Sequence, residues 1–202
     1  MTHRHPEPRP SEARLRLLST ATRIFYAEGV HAVGVDRIVA EAKVTRATFY
    51  RHFPSKEDLV LTYLREVHQM DRTSVAAAIA DNPSPVDALL GIAGSIAQRI
   101  QSPGFRGCAF LNAAAEYPDS DKAVRQEIIA HRQWFLDTLT TLMAGVHDET
   151  ADSAARHFVM LRDGAMAAGC LFDPALVSET FLHGIEGLLR INAERQSAKS
   201  AR

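Results

Sequence analysis

Apolar residues recur along this chain at three- and four-residue intervals, and nowhere do they alternate as a half-buried strand requires. Leu17, Leu18, Ala21, Ile24 and Phe25 form the first stripe, which predicts a helix over residues 11–28. Ser11 caps it, Glu12 sits in its first turn, and Gly29 follows where a left-handed residue closes a helix. Val35, Ile38, Val39 and Ala42 predict a short second helix behind a Gly34 cap. Lys43-Val44 then makes a turn. Thr45 caps a third helix, with Phe49 inward and Arg46, Ala47, Thr48, Tyr50, Arg51 and His52 largely outward. Pro54 stops it, and Ser55-Lys56-Glu57-Asp58 reads as a capping box. The fourth helix carries Leu59, Val60, Tyr63, Leu64, Val67 and Met70 and extends to about residue 80.

The rest is helix after helix. Ser84-Pro85 opens a fifth, and Ser102-Pro103-Gly104 closes it. A short sixth lies around 108–116, a seventh over 121–144 and an eighth over 150–171. Asp173-Pro174 starts a ninth that runs to about 195. The pattern predicts an all-α chain with no repeat. Its parts are a flexible basic arm (1–10), a three-helix segment (11–57), a long fourth helix leading into a helical body (58–196), and a tail (197–202).

Composition adds few constraints. With 46% hydrophobic residues in 202, the chain can bury a real core. No apolar run approaches the ~18 residues that span a bilayer. MTHRHPEPRP lacks the apolar stretch of a secretory signal, so the expected location is the cytoplasm. Cys108 and Cys170 are too few for a disulfide framework and read as buried thiols. The net charge of −1 argues against a general polyanion binder. Its distribution is uneven. Residues 1–60 hold 10 Lys and Arg against 7 Asp and Glu, a balance of +3, and residues 61–202 hold 13 against 17, a balance of −4. That fits one end facing nucleic acid.

The third helix supplies the chemistry such an end needs. Arg46, near its N-terminus, can donate a bidentate pair to guanine, and Ala47 suits a thymine methyl. Thr45, Thr48, Tyr50 and His52 can hydrogen-bond phosphate oxygens. Lys56 opens the fourth helix, where its charge adds to free backbone N–H groups and the positive dipole end. Spacing alone also permits a solvated helix in an ordinary bundle.

A denser pattern bears on that choice. Ile24-Phe25 with Gly29, followed by Thr48-Phe49-Tyr50-Arg51-His52-Phe53-Pro54-Ser55-Lys56-Glu57-Asp58-Leu59, resembles the DNA-binding segment of TetR-type regulators and its T-x-Y-x-H-F-x-S-K-x-x-L signature. The match holds register over about 50 residues, and the length and helical remainder suit the family's layout. The resemblance implies that Tyr50, His52 and Lys56 meet phosphates. It puts Thr45, Arg46, Ala47 and Thr48 on the recognition face and makes Phe49 and Phe53 its core. Two positions depart from the pattern. Val33-Gly34 lacks the usual Thr or Ser cap, and Lys43 stands at a turn position that is commonly Gly. A left-handed Lys43 would cost on the order of 1 kcal/mol, recoverable through a phosphate contact.

The same resemblance implies a homodimer that binds a double-stranded, palindromic DNA operator, most often as a repressor. It implies a ligand-binding and dimerisation role for residues 58–196, and release by a small, mostly apolar effector. The small-residue stripe of the eighth helix and the apolar bulk of the ninth nominate Phe158, Leu161, Ala165, Ala168, Phe181, Ile185 and Leu188 for the interface. The competing reading puts both stripes in their own subunit's core. For the pocket, polar atoms in apolar settings nominate Tyr63, Val67, Cys108, Asn112, Glu116, His131, Trp134 and Phe135. Such aromatics also commonly fill cores. Glu127 and His131 share i, i+4 spacing, but no second ligand pair supports a metal, and no cofactor is expected. A helical enzyme, or an interaction module that has lost operator binding, is the rival reading. GxSxG, HExxH, P-loop and dinucleotide motifs are all missing.

Overall fold

A computed structural model describes residues 11–119 and 122–200, with side chains described to residue 194. Among these residues there are nine α-helices, one 3-10 turn and no strand. The helices are α1 Glu12–Glu28, α2 Val35–Glu41, α3 Arg46–His52, α4 Lys56–Ala80, α5 Pro85–Ile100, α6 Ala109–Glu116, α7 Ala123–Ala144, α8 Ala151–Ala168 and α9 Pro174–Ser200. The chain divides into two compact units. Unit 1 ends at Tyr63 and unit 2 begins at Leu64, so the boundary falls inside α4 rather than at its start, where the sequence suggested it.

Unit 1 is built on the expected caps. The Ser11 hydroxyl accepts the Arg14 amide, and the Thr45 hydroxyl accepts the Thr48 amide. Each satisfies one of the N–H groups a helix start leaves open. Gly29 takes φ 90 and ψ 160, a positive-φ close with an extended exit rather than a left-handed turn. Phe49 and Phe53 sit 6.1 Å apart in the core with Leu17, Ile24 and Ile38, and Phe25 tilts against Tyr63 at 5.8 Å. A surface network tightens α1 against α2: Arg37 pairs with both Glu28 and Glu41, and Glu41 also takes Arg23. These guanidinium contacts hold both carboxyls below the usual range.

In unit 2, α5 packs on α9, α7 on α8, and α8 on α9. A buried Ser178 hydroxyl donates to the Ala97 carbonyl at 3.0 Å, tying α9 to α5. Thr150 donates to Asn192 Oδ1 at 2.6 Å, leaving its oxygen to accept from His147 Nδ1 at 3.0 Å. That network pins the Asp148–Thr150 turn to α9. Gly169 ends α8 where a Cβ would lie 2.7 Å from the Ile100 side chain, so no larger residue fits.

Several boundaries differ from the sequence reading. The eighth helix starts one residue later, behind its 3-10 turn, and stops at Ala168, because Gly169, Cys170 and Leu171 turn the chain. The ninth runs to Ser200, so residues 197–200 are helix and not tail. At Ser55 only half of the capping box forms. The hydroxyl accepts the Asp58 amide but donates to the Asp58 carboxylate, which is thereby held at the hydroxyl. The arm at 1–10, the seventh helix's expected start at 121 and the last two tail positions lie outside the described residues.

Candidate nucleic-acid interface and buried cavity

In unit 1, α2, the Ala42–Thr45 turn and α3 form a helix-turn-helix. Lys43 holds φ 53, the one described non-glycine residue at positive φ. The turn therefore needs the left-handed conformation that glycine would adopt freely. Gly34 begins α2 with no side-chain cap bond, as the missing hydroxyl foretold. Phe49 is fully buried beneath α3, while Arg46, Ala47, Tyr50 and Arg51 stand exposed above it. Tyr50 is 47% exposed and packs edge-on against Phe49 at 5.1 Å, so the core fixes its ring.

The polar residues of this face are partly engaged with one another. The Thr45 and Thr48 hydroxyls lie 3.0 Å apart, and Thr48 is half-buried. His52 Nε2 lies 3.0 Å from the Ser11 hydroxyl, joining the end of α3 to the start of α1. The Arg46 guanidinium sits 3.2 Å from the Asp36 carboxylate, with both side chains exposed. Lys56 occupies the first turn of α4, half-exposed.

Unit 2 holds a partly open cavity of about 80 Å³ between α4, α5, α7 and α8. Val75, Ile92, Ile96 and Phe135 form its apolar wall. Asp71, Arg99, His131 and Arg162 form the polar one, with the Ser74 and Ser95 hydroxyls beside them. Arg99 donates to Asp71 at 2.6 Å. His131 stacks flat on Phe110 at 3.5 Å, and its Nδ1 lies 2.8 Å from Nδ1 of His68. Burial first, and then the Arg162 charge, push the His131 imidazole down to about 3, so it is neutral at pH 7. If His68 donates in that pair, the His131 Nε2 carries the proton and faces Asp71 Oδ2 at 3.7 Å, the favourable polarity. Arg162 is only 4% exposed. It lies over the Phe135 ring at 5.3 Å and donates to Asp163 at 2.9 Å and to the Cys108 sulfur at 3.4 Å.

Of the eight pocket candidates, His131 and Phe135 line this cavity, and Cys108 backs it through Arg162. Trp134 lines an open groove between α4 and α7, where Arg72 lies over its ring. The other four do not line the cavity. Tyr63 belongs to the core of unit 1, and Val67 is half-buried elsewhere on α4. Asn112 is exposed and donates to the Arg106 carbonyl, and Glu116 is half-buried off the wall. Glu127 pairs with Arg65 at 2.9 Å rather than with His131. The sequence reading missed Asp71, Arg99 and Arg162. A signal for the last existed: Arg162 interrupts the stripe Phe158, Ala165, Met166, where a cation must be buried.

The interface candidates divide in the same way. Phe158, Ala165, Phe181 and Ile185 pack into their own subunit's core and present no surface to a partner. Phe158 meets Phe135 and Phe181 edge-on. The outward face of α8 and α9 carries Leu161, Gly164, Ala168, Gly184 and Leu188 instead, flanked by the exposed Met160, Leu176 and Ile191. Between the two helices, Leu171 and Phe172 are 77% and 66% exposed.

Residues 17–63 match the family described as bacterial regulatory proteins, tetR family. The chain is 62% identical to SCO4454, a TetR-family transcriptional regulator from Streptomyces coelicolor, covering 90% of this chain and 96% of that one with a TM-score of 0.89. It is 34% identical over 85 residues to the transcriptional regulator EthR of Mycobacterium tuberculosis, and 28% identical over 79 residues to LmrA of Bacillus subtilis. Those two matches span 38% and 42% of the relatives' lengths, about two-fifths of each, and 42% and 39% of this chain.

Proposed function

We propose that this chain, which belongs to the TetR family of DNA-binding transcriptional regulators, is a homodimeric repressor that leaves a palindromic operator when a small molecule fills the cavity of unit 2. The observation that carries this reading is the face of α3, an exposed Arg46, Ala47 and Tyr50 held over a fully buried Phe49. A rigid floor under exposed donors suits a helix that enters the major groove. Arg46 exchanges Asp36 for guanine O6 and N7, and Ala47 meets a thymine methyl. Thr45, Thr48, Tyr50, His52 and Lys56 set the register on phosphates, and Lys43 adds one more from the turn.

The outward face of α8 and α9 is the dimer surface in this reading. Its exposed apolar side chains exceed what scattered surface residues explain, and its glycines permit close helix approach. A second copy across a two-fold axis gives two reading heads and hence an inverted repeat. The same α4 that opens with Lys56 contributes Asp71, Ser74 and Val75 to the cavity wall. A ligand held there bears on the helix that meets the phosphate backbone. It shifts the equilibrium only by binding the released state better.

The test is a gel shift on DNA taken from upstream of the protein's own gene. Sequence-specific binding that weakens with salt is expected, and Lys56→Ala should lower the salt slope by about one. Failure to bind any DNA preferentially would remove the reading.

A further inference from the structure

We propose that the cavity of unit 2 is an acid-binding site: it takes a small compound with a short apolar body and a carboxylate, and Arg162 and Arg99 hold the carboxylate. This deepens the regulator reading and rests on its premise that the cavity receives the effector. The charge arrangement carries the argument. The Asp163 carboxylate is shared, with Oδ1 accepting from Arg162 at 2.9 Å and Oδ2 from Arg132 at 2.6 Å. Across the cavity, Arg99 and Asp71 pair one to one. Three guanidiniums therefore meet two carboxylates, and the surplus charge falls at Arg162, which also donates to the weak sulfur acceptor of Cys108. His131 is neutral and adds no further charge.

A buried guanidinium with half a carboxylate is costly to dehydrate further. A neutral apolar guest would displace water from it and return no hydrogen bond. A carboxylate returns charge-assisted, geometrically matched bonds. Asp71 does not repel it strongly, because Arg99 already neutralises that group. Val75, Ile92, Ile96 and Phe135 take the apolar body, and a volume of about 80 Å³ suits a short chain.

The test titrates the full-length protein with sodium carboxylates from acetate to hexanoate and with the matching carboxamides, read by calorimetry and thermal denaturation. At least one acid should bind and raise the melting midpoint, with its amide binding at least tenfold more weakly. Arg162→Met and Arg99→Gln should each weaken the acid at least tenfold. If Arg162→Met misfolds, Arg99→Gln and the acid–amide pair decide. Equal binding of acid and amide, unchanged affinity in the folded variants, or no binding by any acid overturns the proposal. Operator binding is read in parallel. An acid that binds through Arg162 yet leaves the DNA complex intact supports the site and defeats the switch. Release by neutral compounds that ignore Arg162 defeats the site and keeps the switch.

Discussion

The two units use polar residues in opposite ways. In unit 1 the candidate DNA-contacting side chains lie on the outside of one short helix, over an apolar floor. In unit 2 the polar groups line or back a cavity and pair across helices: Asp71 with Arg99, His131 with His68, Arg132 with Asp163. A surface face is dictated by spacing along one helix. A buried pair depends on how separate helices meet, and its members are 63 residues apart for the two histidines. Unit 1 should therefore tolerate loss of its functional groups with little change in stability, whereas unit 2 should not.

The largest effect is expected from Asp163→Ala. It strips Arg162 of its carboxylate inside the core, and breaking a buried pair costs about 3–5 kcal/mol. Urea denaturation should show this loss, and an unchanged midpoint would mean that Arg162 draws its stabilisation elsewhere. Leu161→Glu comes next. It places a charge on the outward face of α8 and α9 and should weaken self-association by about 2–4 kcal/mol, read by sedimentation at graded concentrations. Phe158→Leu, beneath that face, should alter stability instead of association.

The buried His131 gives unit 2 a pH dependence that begins at higher pH than the one from Glu28 and Glu41 in unit 1. Its proton affinity is depressed in the fold to about 3, against an ordinary value near 6.5, so the unfolded chain binds a proton first. Its contribution is present above about pH 6.5 and is lost as pH falls toward 3. One proton gives a slope of up to about 1.4 kcal/mol per pH unit. His131→Gln should flatten the melting curve between pH 6 and 4, and a slope equal to wild type would contradict the assignment. The smallest effect is expected at Lys43. Lys43→Gly relieves a positive φ and should stabilise unit 1 by less than about 1 kcal/mol while weakening operator binding slightly. Weaker stability would show that the turn gains from the lysine side chain.

This contrast also explains what the sequence made legible. The helix order, the Ser11 and Thr45 caps, the buried Phe49 and the strained Lys43 follow from local rules of spacing and capping. The apolar stripes of α8 and α9 were legible, but the face each helix turns outward was not. Phe158 and Leu161 both belong to an apolar helix, and only the packing of α9 and α7 against α8 decides which of them is covered. The cavity was the least legible part. Asp71 and Arg99 look like solvated charges on amphipathic helices until α4 and α5 bring them together. Asn112 and Glu116 look like pocket anchors until α6 turns them off the wall.

The most direct measurement is a randomised-site selection carried out in parallel with the wild-type protein and Arg46→Ala. The wild type should enrich an inverted repeat. Arg46→Ala should keep the repeat and its spacing but lose preference at one base pair in each half-site, a loss of about 1–3 kcal/mol of discrimination. A wild-type selection that enriches nothing, or an Arg46→Ala selection that returns the same motif at full contrast, would contradict the assignment of α3 as the reading helix.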